Sequence, residues 1–260
     1  MHYPLQIRKI LILILTITCV VCLPIYAQDQ HTVLLYTFET GSGTTVNDLS
    51  DYGNDGELMA AEWGVGKIRG GLTFGGNGSR AFVQIEDSDS LDLDEGLTVE
   101  MWVYLNSAST AGGTGATKEG AYKVGPRNDQ RVLLRMTTSS VGWGSAVVIS
   151  NQALALNKWV HIAGTYDAEA GDGKVYIDGE LESEGSIGGD INTNDAVLWL
   201  GRGAGPFLDG RMDEVRISNI ARTQKEIQQL MSVGIEGALS VTPNDKLSTT
   251  WGHLKSRLKM

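Results

Sequence analysis

The chain has 260 residues, with 21 Lys and Arg against 31 Asp and Glu, and its formal net charge is −10 at pH 7. This acidity argues against nucleic acid and anionic membrane surfaces as partners, because both carry negative charge. Both cysteines, Cys19 and Cys22, lie in an apolar stretch near the N-terminus, so the remainder of the chain has none with which to form a disulfide.

Residues 1–27 have the pattern of a secretory signal peptide. Arg8 and Lys9 form a short basic segment, residues 10–23 form an apolar run, and Ala27 is the small residue that a signal peptidase requires. The run is too short to span a bilayer comfortably, and a retained N-terminal anchor is the alternative. We therefore expect a secreted, periplasmic or cell-surface protein whose mature domain does not insert into a membrane.

Short segments that alternate apolar and polar residues, separated by glycine-rich turns, predict a single all-β domain over residues 28–234. The predicted strands are Val33–Phe38, Leu72–Phe74, Ala81–Ile85, Leu97–Leu105, Arg131–Thr137, Ser145–Ser150, Lys158–Tyr166, Lys174–Ile177, Val197–Leu200 and Arg211–Ser218. A long loop rich in Gly, Thr, Ala and Ser is predicted from Asn106 to about Lys118. The 33 glycines are consistent with many tight turns between short strands.

One short helix is predicted after the last strand. Thr223 and Glu226 have the spacing of a capping box, in which each side chain satisfies the other residue's backbone N–H. Three apolar residues then form one stripe, and Gly234 ends the helix. Residues 235–260 form a separate tail with several basic residues, for which disorder and a docking element both remain open.

In this order the segments resemble the laminin G-like domains of the concanavalin A-like lectin/glucanase superfamily. The resemblance rests on residues 33–38, 48–56, 70–74, 82–85, 98–102, 156–166, 176–179 and 213–217. It departs from the family pattern at Asp51 and Tyr52, which replace a Gly-Asn pair. The resemblance implies a two-sheet antiparallel jelly-roll sandwich with one short C-terminal helix. Domains of this kind usually bind a ligand and rarely catalyse a reaction.

The resemblance also implies a structural calcium ion between the N-terminal region and the last strand, with Asp48, Asn54 and Asp213 as its ligands. Strand alternation gives an independent reason for Asp213, because it shares its predicted face with the apolar residues Val215 and Ile217. A carboxylate on the core side needs a cation or several hydrogen-bond donors, and calcium prefers about six to eight oxygen ligands. The alternative is that Asp48 and Asn54 only cap turns.

Alternation predicts an outward face that suits a sugar, because pyranose rings stack on aromatic rings and hydroxyl groups bond to charged side chains. Trp102 is our first candidate for ligand contact on this face. The predicted outward residues are Glu100, Trp102, Tyr104, Arg131, Arg135, Trp159, His161, Lys174, Tyr176, Glu214 and Arg216. The alternative is that Trp102 and Trp159 are framework residues of the fold.

Tyr122, Arg127 and Trp143 are further candidates for ligand contact, since we expect them at or near loop tips, where binding specificity commonly resides. Trp143 lies between Gly142 and Gly144, which leave its ring free to contact a ligand. Packing of Trp143 beneath the long loop is the alternative. A glycan or a glycoprotein is the expected partner.

Catalysis is not expected. A retaining glycosidase needs two carboxyl groups about 5 Å apart. The nearest pattern, Glu180-Leu-Glu-Ser-Glu184, lacks a central Asp and directly follows a turn, so a solvated strand face explains it better. The four histidines form no zinc cluster. We therefore expect a non-catalytic binding module. A protein-interaction or adhesion domain of the cell surface is the alternative, and a glycosidase is a distant third.

Overall fold

A computed structural model describes residues 29–107 and 115–239, with the side chains of 236–239 left out. The predicted signal peptide, residues 108–114 of the predicted loop and the tail from residue 240 onward lie outside the described residues. In the part of the chain that is described, no helix is long and apolar enough to cross a membrane.

The described chain consists mainly of short strands. In chain order these are β1 (Thr32–Tyr36), β2 (Thr45–Val46), β3 (Gly56–Met59), β4 (Glu62–Val65), β5 (Gly70–Gly75), β6 (Phe82–Ile85), β7 (Gly96–Leu105), β8 (Ala116–Lys118), β9 (Tyr122–Pro126), β10 (Arg131–Met136), β11 (Ala146–Ala153), β12 (Trp159–Asp167), β13 (Asp172–Ile177), β14 (Glu180–Ser186), β15 (Leu198–Leu200) and β16 (Asp209–Ser218). The helices are α1 (Gly76–Ser79), a 3-10 turn (Asp89–Leu91) and α2 (Gln224–Leu239).

The strands form two antiparallel sheets of eight strands each, which we name sheet A and sheet B. Sheet A has the order β14-β13-β12-β7-β16-β5-β4, with β1 also paired to β16. Sheet B has the order β11-β10-β9-β8-β15-β6-β3-β2. Their inner faces enclose one hydrophobic core, in which Met101 and Ile162 of sheet A are buried together with Leu134 and Leu198 of sheet B. The two-sheet antiparallel sandwich expected from the sequence is confirmed.

Each of the ten predicted strands corresponds to an observed strand, and β14 corresponds to the solvated strand face expected at Glu180–Glu184, but β2, β3, β4, β8 and β9 were missed. These strands are at most five residues long, and β8 lies at the end of the segment predicted as a loop. Short segments with glycine or polar residues carry too few alternations to be distinguished from loops. The omission matters because β8 and β9 lie in the middle of sheet B.

Helix α2 packs on the outer face of sheet A. Ile227 is buried with Ala163 and Tyr176, and Leu230 is buried with Leu35 of β1. The predicted capping box is present, since the backbone N–H of Thr223 donates to the Glu226 carboxylate at 2.8 Å and the N–H of Glu226 donates to Thr223 Oγ1 at 3.3 Å. The helix therefore covers sheet A and leaves sheet B uncovered by it.

Gly234 interrupts α2 with a left-handed φ of 69° and a ψ of 171°. The next residue, Ile235, is buried, and its N–H donates to the Glu214 carboxylate. The helix thus breaks at Gly234 as the sequence indicates, but the packing of the domain continues past the expected boundary to Ile235.

Candidate functional site

One row of outward side chains crosses all eight strands of sheet B. From β11 to β2 the row is Val147, Arg135, Lys123, Thr117, Trp199, Gln84, Glu57 and Thr45. Residues that lie opposite each other on paired strands point to the same face. Their chain neighbours, such as Leu134, Val124 and Leu198, are in the core, so the row lies on the outer face. We call these eight residues the sheet B row.

Polar atoms without a hydrogen-bond partner concentrate around the middle of this row. Among the described residues seven side chains have a buried polar atom with no partner, and four of them lie here. These atoms are Arg135 Nε, Trp199 Nε1, Arg202 Nε and Glu119 Oε2. Since buried polar groups in proteins normally bond to protein or water, these four atoms need hydrogen-bond partners that water or a ligand can supply.

Arg202 lies among three aromatic rings at the end of β15. Its guanidinium carbon is 4.0 Å from the centre of the Trp199 ring, 4.8 Å from that of Phe82 and 5.6 Å from that of Phe207. Gly201, with a φ of 78°, turns the chain just before it. The rings hold the planar guanidinium in place. Because the Arg202 guanidinium stacks on one face of the Trp199 indole, a ligand that binds beside them contacts Arg202 rather than that face of the ring.

A cavity of about 320 Å³ opens beside Arg202. Its lining consists of Asn77, Arg80, Arg202, Ala204, Gly205 and Phe207. The backbone N–H of Phe207 donates to Asn77 Oδ1 at 3.0 Å, which ties the loop after β15 to the turn of α1. Within this lining there are two arginines and no carboxylate, so the cavity favours an anionic or hydrogen-bond-accepting group.

A second positive group lies farther along the row. Lys123 is 4% exposed, and burial lowers its pKa below the usual range. The nearby Glu119 opposes this shift, while Arg135 adds to it. Two cations thus share one neighbouring acid on this part of sheet B.

Of the ligand candidates from the sequence, Trp143 lies beside this row. It is half-buried in the connection between β10 and β11, with the Arg135 guanidinium carbon 5.8 Å from its ring centre. Its ring and the arginine therefore form one surface.

The loop-tip prediction for Tyr122 was wrong. Tyr122 belongs to β9, is fully buried and donates its hydroxyl hydrogen to the carbonyl of Leu91 at 3.2 Å. Arg127 does lie at a turn, between β9 and β10, but its Nε is 3.5 Å from the Asp129 carboxylate and it is not part of the row. Neither residue is positioned with Trp143 as a ligand surface.

Trp102 lies on the outer face of sheet A and is 8% exposed. Its ring packs edge-on against His161 with the ring centres 5.3 Å apart, and Lys67 Nζ lies 4.4 Å from its centre. A ligand cannot reach a ring that is enclosed in this way. The structure favours the framework role for Trp102 over ligand contact.

Buried charges lie next to Trp102 on the same face. The Glu100 carboxylate accepts a hydrogen bond from Arg216 Nε at 2.7 Å, and its other oxygen lies 3.5 Å from His161 Nε2. Burial raises the pKa of Glu100, an effect that Arg216 opposes. Burial, together with Arg216, lowers the pKa of His161 to about 3, so the imidazole is neutral at physiological pH. Several side chains expected to face solvent are thus buried.

Two further aromatic residues on this face, Tyr104 and Trp159, are half-exposed. Tyr104 and Trp159 pack with their ring centres 5.7 Å apart, and the Arg211 guanidinium carbon lies 3.9 Å from the Tyr104 ring and 5.3 Å from the Trp159 ring. We call these three residues the sheet A cluster. It lies on the opposite side of the sandwich from the sheet B row.

The inward placement expected for Asp213 was wrong, because β16 contains a β-bulge. Asp213 pairs with Trp102 and Arg216 pairs with Glu100, so β16 has one extra residue between these pairs. Glu214 has a φ of 50° within the bulge. The extra residue reverses the alternation, so Asp213 shares the outer face with Trp102 although Ile217 points into the core.

Backbone N–H groups surround the Asp213 carboxylate. One oxygen accepts from Ile68 and the other from Glu214, both at 2.8 Å. Burial raises the pKa of Asp213 to about 7, partly opposed by these hydrogen bonds. The carboxylate therefore joins the bulge to the segment before β5.

Asp48 organises the loop that follows β2. Its carboxylate accepts from the backbone N–H groups of Leu35, Ser50 and Asn54, at 2.8–2.9 Å, and from the Ser50 hydroxyl at 2.6 Å. The Asn54 side chain donates to the carbonyl of Val33 at 2.7 Å and accepts from Ser88 at 2.7 Å. Both side chains fasten this loop to its surroundings.

These hydrogen bonds bear on the expected calcium site. Asp48 and Asp213 are held by separate sets of donors and share no partner among the contacts described above. A calcium ion needs several oxygen atoms that converge on one point, whereas these carboxylates face N–H groups. Asp48, Asn54 and Asp213 therefore do not fit a shared calcium ion in this arrangement. The structural calcium ion that the resemblance implies stays a prediction.

The carboxylates of β14 have structural partners. Glu180 accepts hydrogen bonds from Gln224 and Gln228 of α2, at 3.1 and 3.2 Å, and Glu182 accepts one from Gln152 at 3.0 Å. These contacts join β14 to α2 and to β11. They give the Glu180–Glu184 segment a role in packing that needs no catalysis.

Comparison with known proteins places this fold in a family. Residues 77–228 match the family model for a laminin G domain of the concanavalin A-like lectin/glucanases superfamily, which confirms the resemblance seen in the sequence. No curated protein matches the chain.

Several solved structures share the fold. Domain 4 of AbnA, an extracellular arabinanase from Geobacillus stearothermophilus, in complex with arabinotriose, is 20% identical with a TM-score of 0.61 over 77% of this chain and 98% of that chain. The binding domain of Paraclostridial Mosquitocidal Protein 1 is 16% identical with a TM-score of 0.63 over 77% and 52%. The binding domain of Botulinum neurotoxin DC in complex with rat synaptotagmin II is 12% identical with a TM-score of 0.58 over 82% and 52%. The chain spans about half the length of these two toxin domains.

Proposed function

The chain belongs to the concanavalin A-like lectin/glucanases superfamily, and from this premise we propose that it is a non-catalytic module that binds a glycan or glycoprotein through the outer face of sheet B. The observation that carries the proposal is the set of unpartnered polar atoms around the sheet B row, at Arg135, Trp199, Arg202 and Glu119. Helix α2 covers the other sheet and is not part of this face. Arg135, Trp199 and Arg202 are half-buried on it, whereas Lys123 and Thr117, between Arg135 and Trp199, are buried.

The chemistry of the face suits a saccharide. The unpartnered nitrogen atoms are donors and the Glu119 oxygen is an acceptor, and sugar hydroxyl groups can satisfy both. Trp143 adds an aromatic surface next to Arg135. A few polar groups among aromatic rings are typical of ligand sites in proteins.

The size of the face indicates an oligosaccharide. Arg135 and Trp199 lie on β10 and β15, with β9 and β8 between them. Since neighbouring strands are about 4.8 Å apart, the two residues are separated by about 14 Å. This length suits a short oligosaccharide better than a single sugar. Domain 4 of AbnA, which shares the fold, is described in complex with arabinotriose.

We include export in the proposal, with residues 1–27 as the signal peptide. The support is the order of basic, apolar and small residues in that segment. A secreted or surface-held module would meet glycans outside the cytoplasm.

A protein partner is the second candidate, and the sheet A cluster favours it. Tyr, Trp and Arg are the residues that most often dominate the binding energy of protein interfaces. Tyr104, Trp159 and Arg211 are half-exposed, and Val65 nearby is 72% exposed, with its carbonyl 3.5 Å from Arg211 Nη1. An adhesion or protein-interaction domain would use this surface.

The test is a glycan array with the protein expressed from the full-length chain and two matched tryptophan variants. We expect Trp143→Ala to reduce glycan binding at least tenfold and Trp159→Ala, on the opposite sheet, to leave it unchanged. Loss with Trp159→Ala alone would move the site to the sheet A cluster. Absence of binding to every glycan, with an unchanged circular dichroism spectrum, would reject the proposal and favour a protein partner.

A further inference from the structure

The outer face of sheet B carries positive charge that a neutral glycan would not match. The chain as a whole has a net charge of −10, yet four cations lie on or beside the sheet B row: Arg80, Lys123, Arg135 and Arg202. None of the four has a carboxylate partner among the ion pairs of the described residues. The acids of this face are Glu119, which lies near Lys123, and Glu57 and Glu86, which lie on or next to β3 and β6. The half of the row from β10 to β15 therefore has an excess of positive charge.

Arg202 is arranged as an anion receptor. Its guanidinium is fixed by Trp199, Phe82 and Phe207, so little side-chain freedom remains to be lost when a ligand binds. Its Nε is buried and has no acceptor. A guanidinium in this state bonds best to a planar or tetrahedral oxyanion, which can accept two parallel hydrogen bonds.

The cavity beside Arg202 has the composition for such a group. Arg80 lines it together with Arg202, Asn77 supplies a polar side chain, and no residue of its lining is acidic. Residues 108–114, which lie outside the described chain and precede β8, contain no charged residue in the sequence. An acid that would neutralise Arg202 is therefore not supplied by that segment.

Arg135 provides a second position for negative charge, because it is half-buried and therefore within reach of a ligand, whereas Lys123 beside it is buried. They occupy adjacent strands directly opposite each other, and Glu119 is an acid close to Lys123. Two neighbouring cations repel each other, and a further negative charge would reduce this repulsion. This position is separated from Arg202 by Thr117 and Trp199 along the row.

We propose that the ligand of this face is an acidic saccharide, one whose carboxylate or sulfate group binds in the cavity lined by Arg80 and Arg202, with a further acidic group at the half-buried Arg135. This inference rests on the proposed function, and it names the class of glycan. Neutral sugars would satisfy the hydrogen-bond donors but would leave the excess positive charge unmatched.

The experiment measures binding of the protein, expressed from the full-length chain, to four polymers by affinity electrophoresis and calorimetry. Polygalacturonate carries carboxylates, dextran sulfate carries sulfates, and dextran and arabinan are neutral. We expect at least one acidic polymer to bind at least tenfold more tightly than both neutral ones, with an affinity that falls as salt is raised. The acidic polymer that binds more tightly identifies the group.

Three variants locate the site. We expect Arg202→Gln to weaken binding of the acidic polymer at least tenfold, and Arg80→Gln, an exposed side chain whose loss leaves the aromatic packing intact, to weaken it at least threefold. Arg211→Gln is the matched control, because it removes an arginine stacked on aromatic rings of the opposite sheet. It is expected to leave binding unchanged.

The possible failures are distinct. Equal binding of neutral polymers that Trp143→Ala abolishes and Arg80→Gln does not would overturn the acidic ligand and keep the proposed function. Acidic binding that is lost equally with Arg211→Gln would overturn the location. Absence of binding to any of the four polymers, together with a negative glycan array, would overturn both proposals.

Discussion

Glu100 and Arg216 lie opposite each other on neighbouring strands of sheet A, and Arg216 Nε is 2.7 Å from Glu100 Oε1. Glu100 has no exposed surface and Arg216 is 8% exposed. Both charges have been removed from water, and each depends on the other for compensation.

Removal of one member of this pair is expected to destabilise the fold strongly. Glu100→Gln leaves the Arg216 guanidinium buried without its counterion, and we expect a loss of about 3–5 kcal/mol in the free energy of unfolding. Urea denaturation measures it. Glu62→Gln, an exposed acid of β4, is the control for net charge. The double variant Glu100→Met and Arg216→Met should lose less free energy of unfolding than Glu100→Gln. A Glu100→Gln protein as stable as the wild type would contradict this account.

Asp213 makes the stability depend on pH. Its pKa is raised from 3.8 to about 7 in the folded protein, so the folded state holds a proton that the unfolded state has already released above pH 4. The free energy of unfolding is therefore expected to fall as pH rises from about 4 to about 7, by up to about 4 kcal/mol. Thermal melts across this range should show a smaller slope for Asp213→Asn. Asp195→Asn, at an exposed position, should keep the wild-type slope.

Asp48 is expected to stabilise the loop through its hydrogen bonds. Asp48→Ala removes the acceptor for the N–H groups of Leu35, Ser50 and Asn54, and we expect a loss of about 2–3 kcal/mol. Asp51→Ala, an exposed acid in the same loop, should change the free energy of unfolding by less than about 0.5 kcal/mol. Similar losses for the two variants would show that charge, rather than the hydrogen bonds, matters here.

Chelation tests the calcium expectation directly. Because N–H groups already surround the carboxylates of Asp48 and Asp213, we expect any change that EDTA makes in the melting temperature to be the same in the wild type, in Asp48→Ala and in Asp213→Asn, as measured by scanning fluorimetry. A melting temperature that falls in EDTA and recovers with added calcium would show that a calcium ion binds the folded protein. Asp48→Ala and Asp213→Asn would then show whether either residue takes part.

The N-terminal cap of α2 is expected to make a modest contribution to the free energy of unfolding. Thr223→Ala removes the hydroxyl that accepts from the Glu226 N–H, which should cost about 1 kcal/mol. Gln229→Ala, at an exposed position within α2, is the control and should be neutral or slightly stabilising. Hydrogen exchange of the first turn of α2 measures the change locally. Equal exchange rates in wild type and Thr223→Ala would show that the cap is not formed in solution.

The alternation of residues predicted most of sheet A, but it failed at Asp213 because one extra residue reverses the pattern. Nothing in Asp213-Glu214-Val215-Arg216 marks a bulge, since Glu214 adopts its φ of 50° without a glycine. A bulge depends on the pairing of β16 with β7, and a single strand does not reveal it.

The sheet B row could be predicted only in part. The alternation of β10 placed Arg135 on an outward face, but Trp199 was not singled out, and β8 and β9 were not recognised. The row also requires β8 to lie beside β15, although the two strands are about eighty residues apart in the chain. Sheet order, which local patterns do not contain, brings Lys123 and Trp199 to one surface.

The two ends of the described chain lie together on sheet A. The Asp29 carboxylate bonds to Arg222 just before α2, and Ile235, after Gly234, packs against Leu35 of β1. A tether attached at either end would lie next to sheet A, so sheet B would face away from the surface to which the protein is attached. Display on a cell surface and capture on a sensor chip would both leave the outer face of sheet B, where we propose that the saccharide binds, on the side away from the support.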